Sequence, residues 1–373
     1  MSLFTIVEEH PNFVIFDDLI GQRFVYERLT SQILDPELAS TKAFIKKLRT
    51  ETIPVNFGVS PTLVERLDEP VQHLEYDLTW RCQAECGYCP FVPNNYHGSR
   101  THQQVSMDEE LAIEAFWKFA PMAAPNPVIG FYGGEPLLEQ PLIEKIIKLA
   151  KSQFENPRFS MTSNMILAKK HAQFIVDNSI ILSASMDGPW TDEYRKTAGG
   201  IGLFKFVEEG ITAILELDPN MRNRIGFSAV ITHPEKFSEL REFFASTYQN
   251  MRLDMASVDQ RGLINLSLKP SPGQVQAYTQ QYKKMALEYL DAVSKGEPVD
   301  MFLSSLFVPK IEKIAKRPVG YIPLQLEPLG ICTPGKKRMF VRMDGKYGVC
   351  EKVGYDISVG SVQEGYSHEQ AIN

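Results

Sequence analysis

The stretch Trp80-Arg-Cys-Gln-Ala-Glu-Cys-Gly-Tyr-Cys-Pro90 places three of the chain's five cysteines in the spacing C-x₃-C-x₂-C. Residues 73–79, just before it, alternate between apolar and polar side chains, which is typical of a β-strand. The cysteines should therefore lie on the loop that leaves a strand's carboxyl end, where α/β sheets place their ligands. Three thiolates could hold an iron–sulfur cluster or, with His97 or His102, a zinc ion.

The spacing favours the iron–sulfur cluster over the alternatives. Zinc sites more often use two separated C-x₂-C pairs, or one such pair with a distant pair of histidines. A disulfide explains the triplet poorly, because an odd number of cysteines cannot pair off. A four-iron cluster held by three thiolates would also keep one iron open for a small molecule.

Length, composition and charge set the outer limits. The 373 residues suggest two or three domains, and 43% hydrophobic with 23% charged residues is typical of a soluble globular protein. A net charge of −7 argues against a nucleic-acid partner, and no apolar run approaches the roughly 20 residues of a membrane span. The N-terminus lacks a secretion signal, and the clustered cysteines fit a reducing cytoplasm.

Predicted strands and helices alternate from residue 73 onward, which indicates parallel βαβ units and an α/β fold. Ser106-Met-Asp-Glu109 has the capping-box form and should begin a helix that runs towards Phe119. Further strands are predicted at 128–132, 159–162, 180–185, 224–232 and within 250–269. Further helices are predicted at 141–154, 169–176, 204–215, 236–244 and 273–294.

Residues 1–70 are expected to form a small N-terminal α+β module. Its predicted elements are strands at 3–9 and 12–19, an ambiguous apolar segment at 23–34, and helices at 38–48 and 60–67. Such a module could be a cap over the end of a barrel. It could equally be a winged-helix-like element whose exposed strand edge accepts an extended peptide as an added strand.

Gly133-Gly134-Glu135-Pro136 directly follows the predicted strand 128–132. Two glycines let the backbone approach a ligand closely, and Glu135 adds a carboxylate that could accept from an ammonium group. Alone, such a tetrapeptide is most often a plain turn. A phosphate-binding loop is disfavoured because no Gly-Lys-Ser/Thr sequence follows.

The cysteine triplet, with Tyr88 before its last cysteine and the Gly-Gly-Glu-Pro sequence one βα unit later, resembles the radical S-adenosylmethionine (radical SAM) enzymes. The resemblance implies a partial (β/α)₆ TIM-like barrel over residues 71–300. It also implies that Cys82, Cys86 and Cys89 hold a 4Fe-4S cluster, with SAM on the fourth iron.

The same resemblance implies the residues that contact SAM. They are Tyr88, Gly133, Gly134, Glu135, Asn164, Ser185 and Arg195. Thr162-Ser-Asn164 is similar to a T-N-G segment near the SAM ribose and methionine, although Met165 stands where glycine is usual. Ser185-Met-Asp-Gly-Pro189 is similar to a sequence of the peptide- and protein-modifying branch, in which Ser185 would bond a ribose hydroxyl and Arg195 the SAM carboxylate. Tyr88 would pack near the adenine.

Residues 338–348 predict a hairpin with a turn at Asp344-Gly345, flanked by Cys332 and Cys350. As an isolated pair, these cysteines would be interpreted as buried apolar residues. Their pattern resembles the auxiliary-cluster region called SPASM or twitch, which we expect over 301–373, with both cysteines ligating an auxiliary 4Fe-4S cluster. Because the further cysteines of that region do not follow, either the chain is truncated, which we favour, or its auxiliary cluster is incomplete or absent.

The resemblance implies an enzyme that reductively cleaves SAM to a 5′-deoxyadenosyl radical and modifies a ribosomally made precursor peptide through a thioether or carbon–carbon cross-link. The implied partners are the precursor peptide and a low-potential electron donor of the flavodoxin or ferredoxin type. One alternative is a sulfatase-maturase-like oxidation of a protein Cys or Ser. Another is a zinc-stabilised peptide-binding adaptor without catalysis. No general base can be identified.

Overall fold

The computed structural model describes residues 5–10, 12–17, 23–27, 33–50, 70–92, 102–258, 269–315, 338–348, 350–351 and 357–366. The chain divides into two compact units. The first comprises Met1–Arg66 with Lys313–Ile331, and the second comprises Leu67–Glu312 with Cys332–Asn373. Over the described ranges, no helix is both long and apolar enough to cross a membrane.

The first unit contains a four-stranded antiparallel sheet and a helix. Its elements are β1 Thr5–His10, β2 Phe13–Asp17, β3 Arg23–Glu27, β4 Ile33–Leu34 and α1 Ala39–Thr50. The strands pair in chain order, and Phe13, Val25 and Ile45 form a small core between sheet and helix. The segment 23–34, ambiguous in sequence, is therefore two strands. The helix predicted at 60–67 lies outside the described residues.

The second unit is built on an eight-stranded, mostly parallel sheet. Its strands are β5 Val71–Asp77, β6 Ala123–Tyr132, β7 Arg158–Ser163, β8 Ile181–Ser185, β9 Ile225–Ile231, β10 Arg252–Ser257, β11 Arg338–Val341 and β12 Tyr347–Gly348. The strand order is β10-β9-β8-β7-β6-β5-β11-β12, with only β12 antiparallel to its neighbour. The predicted α/β class and the C-terminal hairpin are confirmed.

Helices separate the parallel strands, as the alternating pattern predicts. They are α2 Glu109–Phe119, α3 Gln140–Gln153, α4 Ala172–Asp177, α5 Thr191–Tyr194, α6 Phe204–Leu217, α7 Phe237–Thr247, α8 Pro272–Lys295 and α9 Met301–Ala315. Short 3₁₀ segments lie at Ala120–Met122, Pro136–Glu139, Gly188–Trp190, Pro219–Arg224 and Pro234–Lys236. A two-stranded pair, β13 Gly360–Ser361 and β14 Gly365–Tyr366, follows the hairpin.

The start of α2 differs from the prediction that a capping box at Ser106 opens it. Asp108 is the N-cap residue, and its carboxylate accepts from the backbone N–H groups of Glu110 and Leu111. The Ser106 hydroxyl instead donates to the Glu139 carboxylate at 2.5 Å. The Ser106 side chain therefore forms a tertiary hydrogen bond instead of the helix cap that was predicted for it.

The two faces of the sheet differ in character. On one face, alternate strand residues pack with the helices in a single apolar core that includes Leu74, Tyr76 and Phe131. Consecutive right-handed crossovers place their helices on the same side of a sheet, which is the arrangement of a partial barrel. The other face, here named the polar face, carries His73, Glu75, Asp77, Ser160, Thr162, Ser183, Ser185 and Ser228.

Candidate active site

The cysteine loop, residues 78–90, leaves the carboxyl end of β5 and is held by backbone hydrogen bonds to the last residue of α5 and to the chain just after it. The N–H of Gly87 donates to the Tyr194 carbonyl and that of Glu85 to the Lys196 carbonyl, both at 2.7 Å. Within the loop, the Cys89 N–H donates to the Cys86 carbonyl at 3.0 Å. The loop is therefore fixed at the strand end where the sequence predicts it.

A nitrogen atom that can take part in a hydrogen bond lies beside the sulfur of each of the three cysteines. The Ala84 N–H and the Asn164 side-chain amide approach Cys82 Sγ at 3.4 and 3.5 Å. The Arg195 guanidinium donates to Cys86, and the His102 imidazole Nε2 lies 3.9 Å from Cys89 Sγ. Donors aimed at sulfur stabilise the thiolate, which is the form that ligates a metal.

Burial opposes the thiolate unless a cation is present. It is the main cause that raises the pKa of Cys82 to about 12 and that of Cys86 to about 11; the neighbouring cysteines contribute to both values, while the Ala84 N–H and the Arg195 guanidinium, respectively, oppose the rise. Among the described residues, no group of three or more His, Cys, Asp or Glu side chains is arranged to hold a metal ion. The chemistry of the donor set, three neighbouring thiols with their own hydrogen-bond donors, nevertheless fits a thiolate-ligated cluster.

The loop after β6, Gly133–Glu135, is here named the glycine loop. Its two glycines are needed for it to pack against the cysteine loop. Gly133 has a φ of 143°, and a Cβ on Gly134 would overlap the Arg81 carbonyl. The Gly134 N–H donates to the Thr79 carbonyl at 2.6 Å, and the Glu135 N–H to the Arg81 carbonyl at 2.8 Å. The glycines therefore serve a close backbone approach, as predicted, but the neighbour they approach here is the cysteine loop.

Glu135 is completely buried, and its carboxylate oxygens accept hydrogen bonds from three groups of this chain. It accepts from the Asn164 N–H at 2.7 Å, the Ser163 hydroxyl at 2.9 Å and the Leu137 N–H at 3.2 Å. Burial raises the pKa of Glu135 to about 7, while these hydrogen bonds favour the charged form. Glu135 thus links the glycine loop to the turn after β7, and its predicted contact with a SAM ammonium group stays a prediction.

The turn after β7 holds a residue other than glycine in the left-handed conformation. Met165 stands where the similar T-N-G segment usually has glycine, and its φ of 66° lies in the left-handed region. Its buried side chain and the hydrogen bond from its N–H to the Ser163 hydroxyl hold this conformation. The turn directs the Asn164 side-chain amide towards Cys82 Sγ.

Arg195 is held by Asp187 in a buried ion pair. Its Nη2 and Nε donate to the two Asp187 carboxylate oxygens at 2.9 and 3.0 Å. The Tyr88 hydroxyl also donates to Asp187, and the Tyr88 ring lies 5.3 Å from the Arg195 guanidinium carbon. Ser185 is buried at the end of β8, opposite Ser228 of β9. The structure thus brings Tyr88, Arg195 and Cys86 together through Asp187.

Sequence reasoning quoted Asp187 within its motif but did not assign it to the site. Its carboxylate also accepts from the Val230 N–H at 2.8 Å, so it joins the cysteine loop to β8 and β9. The sequence signal was available, because an acidic and a basic residue eight positions apart flank a Gly-Pro turn. Only Arg195 had a predicted role towards SAM, so nothing paired it with Asp187.

The C-terminal cysteines are described only in part. Cys350 is half-buried and not in a disulfide, next to Glu351, whose carboxylate accepts from Arg338 at 2.6 Å. Cys332 lies outside the described residues, as does His97. The auxiliary cluster assigned to Cys332 and Cys350 therefore stays a prediction.

Comparison with known proteins gives one family match and several partial relatives. The model of the radical SAM superfamily matches residues 76–245. The GTP 3′,8-cyclase of Staphylococcus haemolyticus is 32% identical over 116 residues, 30% of this chain and 33% of that protein. The GTP 3′,8-cyclase of Sulfurimonas denitrificans is 29% identical over 157 residues, 41% of this chain and 46% of that protein. The matches thus span a third to about half of these relatives' length.

Solved structures of anSMEcpe have a similar fold. Native anSMEcpe with bound AdoMet has a TM-score of 0.62 and 19% identity, covering 81% of this chain and 80% of that chain. Native anSMEcpe with bound AdoMet and Cp18Cys peptide also has a TM-score of 0.62, with 18% identity and coverage of 82% and 80%. The likeness to these structures is one of fold, and the radical SAM match covers residues 76–245, which contain the cysteine loop and strands β6 to β9.

Proposed function

We propose that this protein is a radical SAM enzyme that modifies a ribosomally made precursor peptide by forming a thioether or carbon–carbon cross-link. The observation that carries the radical SAM part is the cysteine loop itself. Three thiols, each with a polar nitrogen beside its sulfur, lie at the carboxyl end of a parallel sheet next to the loop Gly133–Glu135. The family match over residues 76–245 supports it further.

In this proposal Cys82, Cys86 and Cys89 hold a 4Fe-4S cluster and leave one iron to SAM. The bound cluster would supply the electron that cleaves SAM and yields a 5′-deoxyadenosyl radical. The protein's own contribution is to position SAM and the substrate and to exclude water from the site. Asn164 and Arg195 donate to ligand sulfurs, and the Gly133–Glu135 backbone forms the adjacent wall. Ser185 and Tyr88 are proposed to contact the SAM nucleoside.

The peptide substrate is supported by two features. One anSMEcpe structure with this fold contains both AdoMet and a peptide. In the first unit, β1 pairs only with β2 among the described strands, and its residues Ile6 and Val7 are exposed. Such an edge can bind an extended peptide as an added strand, so we propose the 1–70 module as the peptide-recognition element. The GTP 3′,8-cyclases share only part of the chain, and their substrate is not carried over.

Three further parts of the proposal concern the surroundings of the site. Residues 301–373 are proposed as a SPASM- or twitch-like region in which Cys332 and Cys350 ligate an auxiliary 4Fe-4S cluster. A flavodoxin or ferredoxin is the proposed electron donor. The cytoplasm is the proposed location, because thiolate-ligated clusters need a reducing compartment.

A second candidate is the oxidation of a Cys or Ser in a sulfatase-like protein. The fold similarity to anSMEcpe with bound AdoMet and Cp18Cys peptide favours it. The two candidates differ in product, since a cross-link joins two residues of the peptide and the oxidation alters one side chain. Tandem mass spectrometry of the treated peptide separates them, because only a cross-link suppresses fragmentation between the two joined residues.

The test of the radical SAM function uses protein reconstituted with iron and sulfide without oxygen. With dithionite and SAM, the wild type should be brown, iron-rich and able to form 5′-deoxyadenosine. Cys86→Ala should form none, while the exposed-site control Ser152→Ala should match the wild type. Equal yields from wild type and Cys86→Ala would reject the function. A colourless protein that holds zinc would instead favour the peptide-binding adaptor.

A further inference from the structure

The polar face of the sheet contains a charged group of side chains that the cysteine site does not use. Glu75 projects from the middle of β5, between His73 and Asp77 on the same face. Arg338, from the neighbouring β11, lies beside it, and Glu351 approaches Arg338 from the far end of the hairpin. Glu75 is only 7% exposed, and Glu351 is largely buried.

Two carboxylates in this group approach the same guanidinium nitrogen of Arg338. Arg338 Nη1 lies 3.0 Å from Glu75 Oε2 but 2.6 Å from Glu351 Oε2, and its hydrogen bond goes to Glu351. Glu75 Oε2 therefore has no hydrogen-bond donor among the described residues, although it is shielded from solvent. The His73 Nε2 atom is likewise buried and has no hydrogen-bond partner within the described part of the chain.

Leaving a buried carboxylate oxygen without a donor is costly, so such an atom usually marks a strained or functional position. Burial, helped by the Glu351 charge, raises the pKa of Glu75 to about 7. Burial also lowers the pKa of His73 to about 4, which leaves the imidazole neutral near pH 7. With His73 neutral, three carboxylates (Glu75, Glu351 and Asp77) face two guanidinium groups (Arg338 and Arg158), which leaves one excess negative charge when all three carboxylates are ionised.

The group lies on the same face of the sheet as Asp77, the last residue of β5 before the cysteine loop. Ser160, Thr162 and Ser183 on the neighbouring strands of this face have small side chains and are half-buried. Glu75 lies four residues before Thr79, roughly 13 Å along an extended strand. A substrate held at the cysteine loop could place a side chain here while another of its residues lies at the reacting position.

We propose that Glu75, with Arg338 and Glu351 behind it, forms a subsite that binds a basic group of the substrate, the ammonium of a lysine or the guanidinium of an arginine. Either cation would supply the donor that Glu75 Oε2 lacks and would balance the excess negative charge. The inference rests on the proposed peptide substrate, because it assigns a lysine or arginine to the region near the modified residue.

The experiment measures binding separately from SAM cleavage. The probes are two acetylated and amidated pentapeptides, alanine at every position except the centre, which is lysine in one and norleucine in the other. Calorimetry with reconstituted, SAM-loaded protein should give the lysine peptide at least tenfold tighter binding. Glu75→Gln should reduce that preference below twofold. The control Glu216→Gln, an equal charge change on an exposed face of α6, should keep it.

Glu351→Gln provides a second variant in case Glu75→Gln does not fold. It frees the Arg338 N–H to turn towards Glu75, so the lysine preference should again fall below twofold. Equal binding of both peptides by the wild type, binding of neither, or an unchanged preference in the folded variants would overturn the subsite. A preparation that prefers lysine but cleaves no SAM would contradict the radical function and leave the subsite standing. A preparation that cleaves SAM but shows no lysine preference would overturn the subsite and leave the radical function standing.

Discussion

The buried ion pair between Asp187 and Arg195 gives the sharpest prediction for stability. The Asp187 side chain is fully buried and the Arg195 side chain is 9% exposed. Asp187→Ala would leave the guanidinium buried without its counter-ion and would also remove the acceptor for the Tyr88 hydroxyl and the Val230 N–H. Breaking a buried pair from one side typically costs about 3–5 kcal/mol, because the remaining charge keeps its desolvation cost.

The loss should be visible in urea unfolding followed by circular dichroism. With an m-value of roughly 3 kcal/mol/M, a loss of that size lowers the unfolding midpoint by about 1–2 M. Glu209→Ala is the matched control, since it removes the partner of Lys169 in a pair whose side chains are 39% and 64% exposed. Its cost should stay below about 1 kcal/mol.

The comparison decides between two roles for Arg195. If Asp187→Ala costs less than about 1 kcal/mol, the ion pair is not a structural element and the reasoning from burial is refuted. A loss in the expected range means that the guanidinium is already committed to Asp187. Any contact of Arg195 with the SAM carboxylate would then have to be added to this pair, since two Asp187 oxygens occupy its Nε and Nη2.

Three further changes test the site and the sheet. Gly134→Ala should push the cysteine loop away and lower the iron and sulfide content after reconstitution, whereas Gly273→Ala, with open space around its Cα, should not. Asn164→Ala removes a donor to Cys82 Sγ and should lower the cluster's reduction potential in an EPR-monitored redox titration. His73 has a folded pKa of about 4, below the unfolded value near 6.5, so it contributes stability above pH 6.5 that is lost as pH falls towards 4. His73→Gln should reduce this loss of unfolding free energy by at most about 3 kcal/mol. Urea unfolding measured between pH 7.5 and 4.5 checks it.

The alternation of strands and helices could be predicted from the sequence because each parallel strand is apolar on the face that the helices cover. The strand starts were harder to predict. β6 was predicted from residue 128, but it begins at Ala123 and includes Pro125 and Pro127. Proline disfavours a central strand. The structure accommodates these residues where the register with β5 shifts between Val71 and His73.

Local signals failed where a tertiary contact competed with them. Ser106 fits the capping box, yet its hydroxyl bonds to Glu139, from the segment after β6, and Asp108 caps the helix instead. At Met165 the sequence lacked the glycine expected for a left-handed turn, and tertiary packing supplied the conformation without it. In both cases residues more than twenty positions away in the chain, or burial in the core, decided the local structure.

The same limit applies to the cysteine site. Spacing identifies the three sulfurs, but the donors around them come from elsewhere: Asn164 from the turn after β7, Arg195 from the segment after α5 and His102 from beyond the loop. Each donor offsets part of the cost of a buried thiolate. Because those groups meet the sulfurs only when the sheet is folded, the proposed binding of a cluster would depend on the whole parallel sheet. The eleven residues that carry the motif would supply the proposed ligands alone.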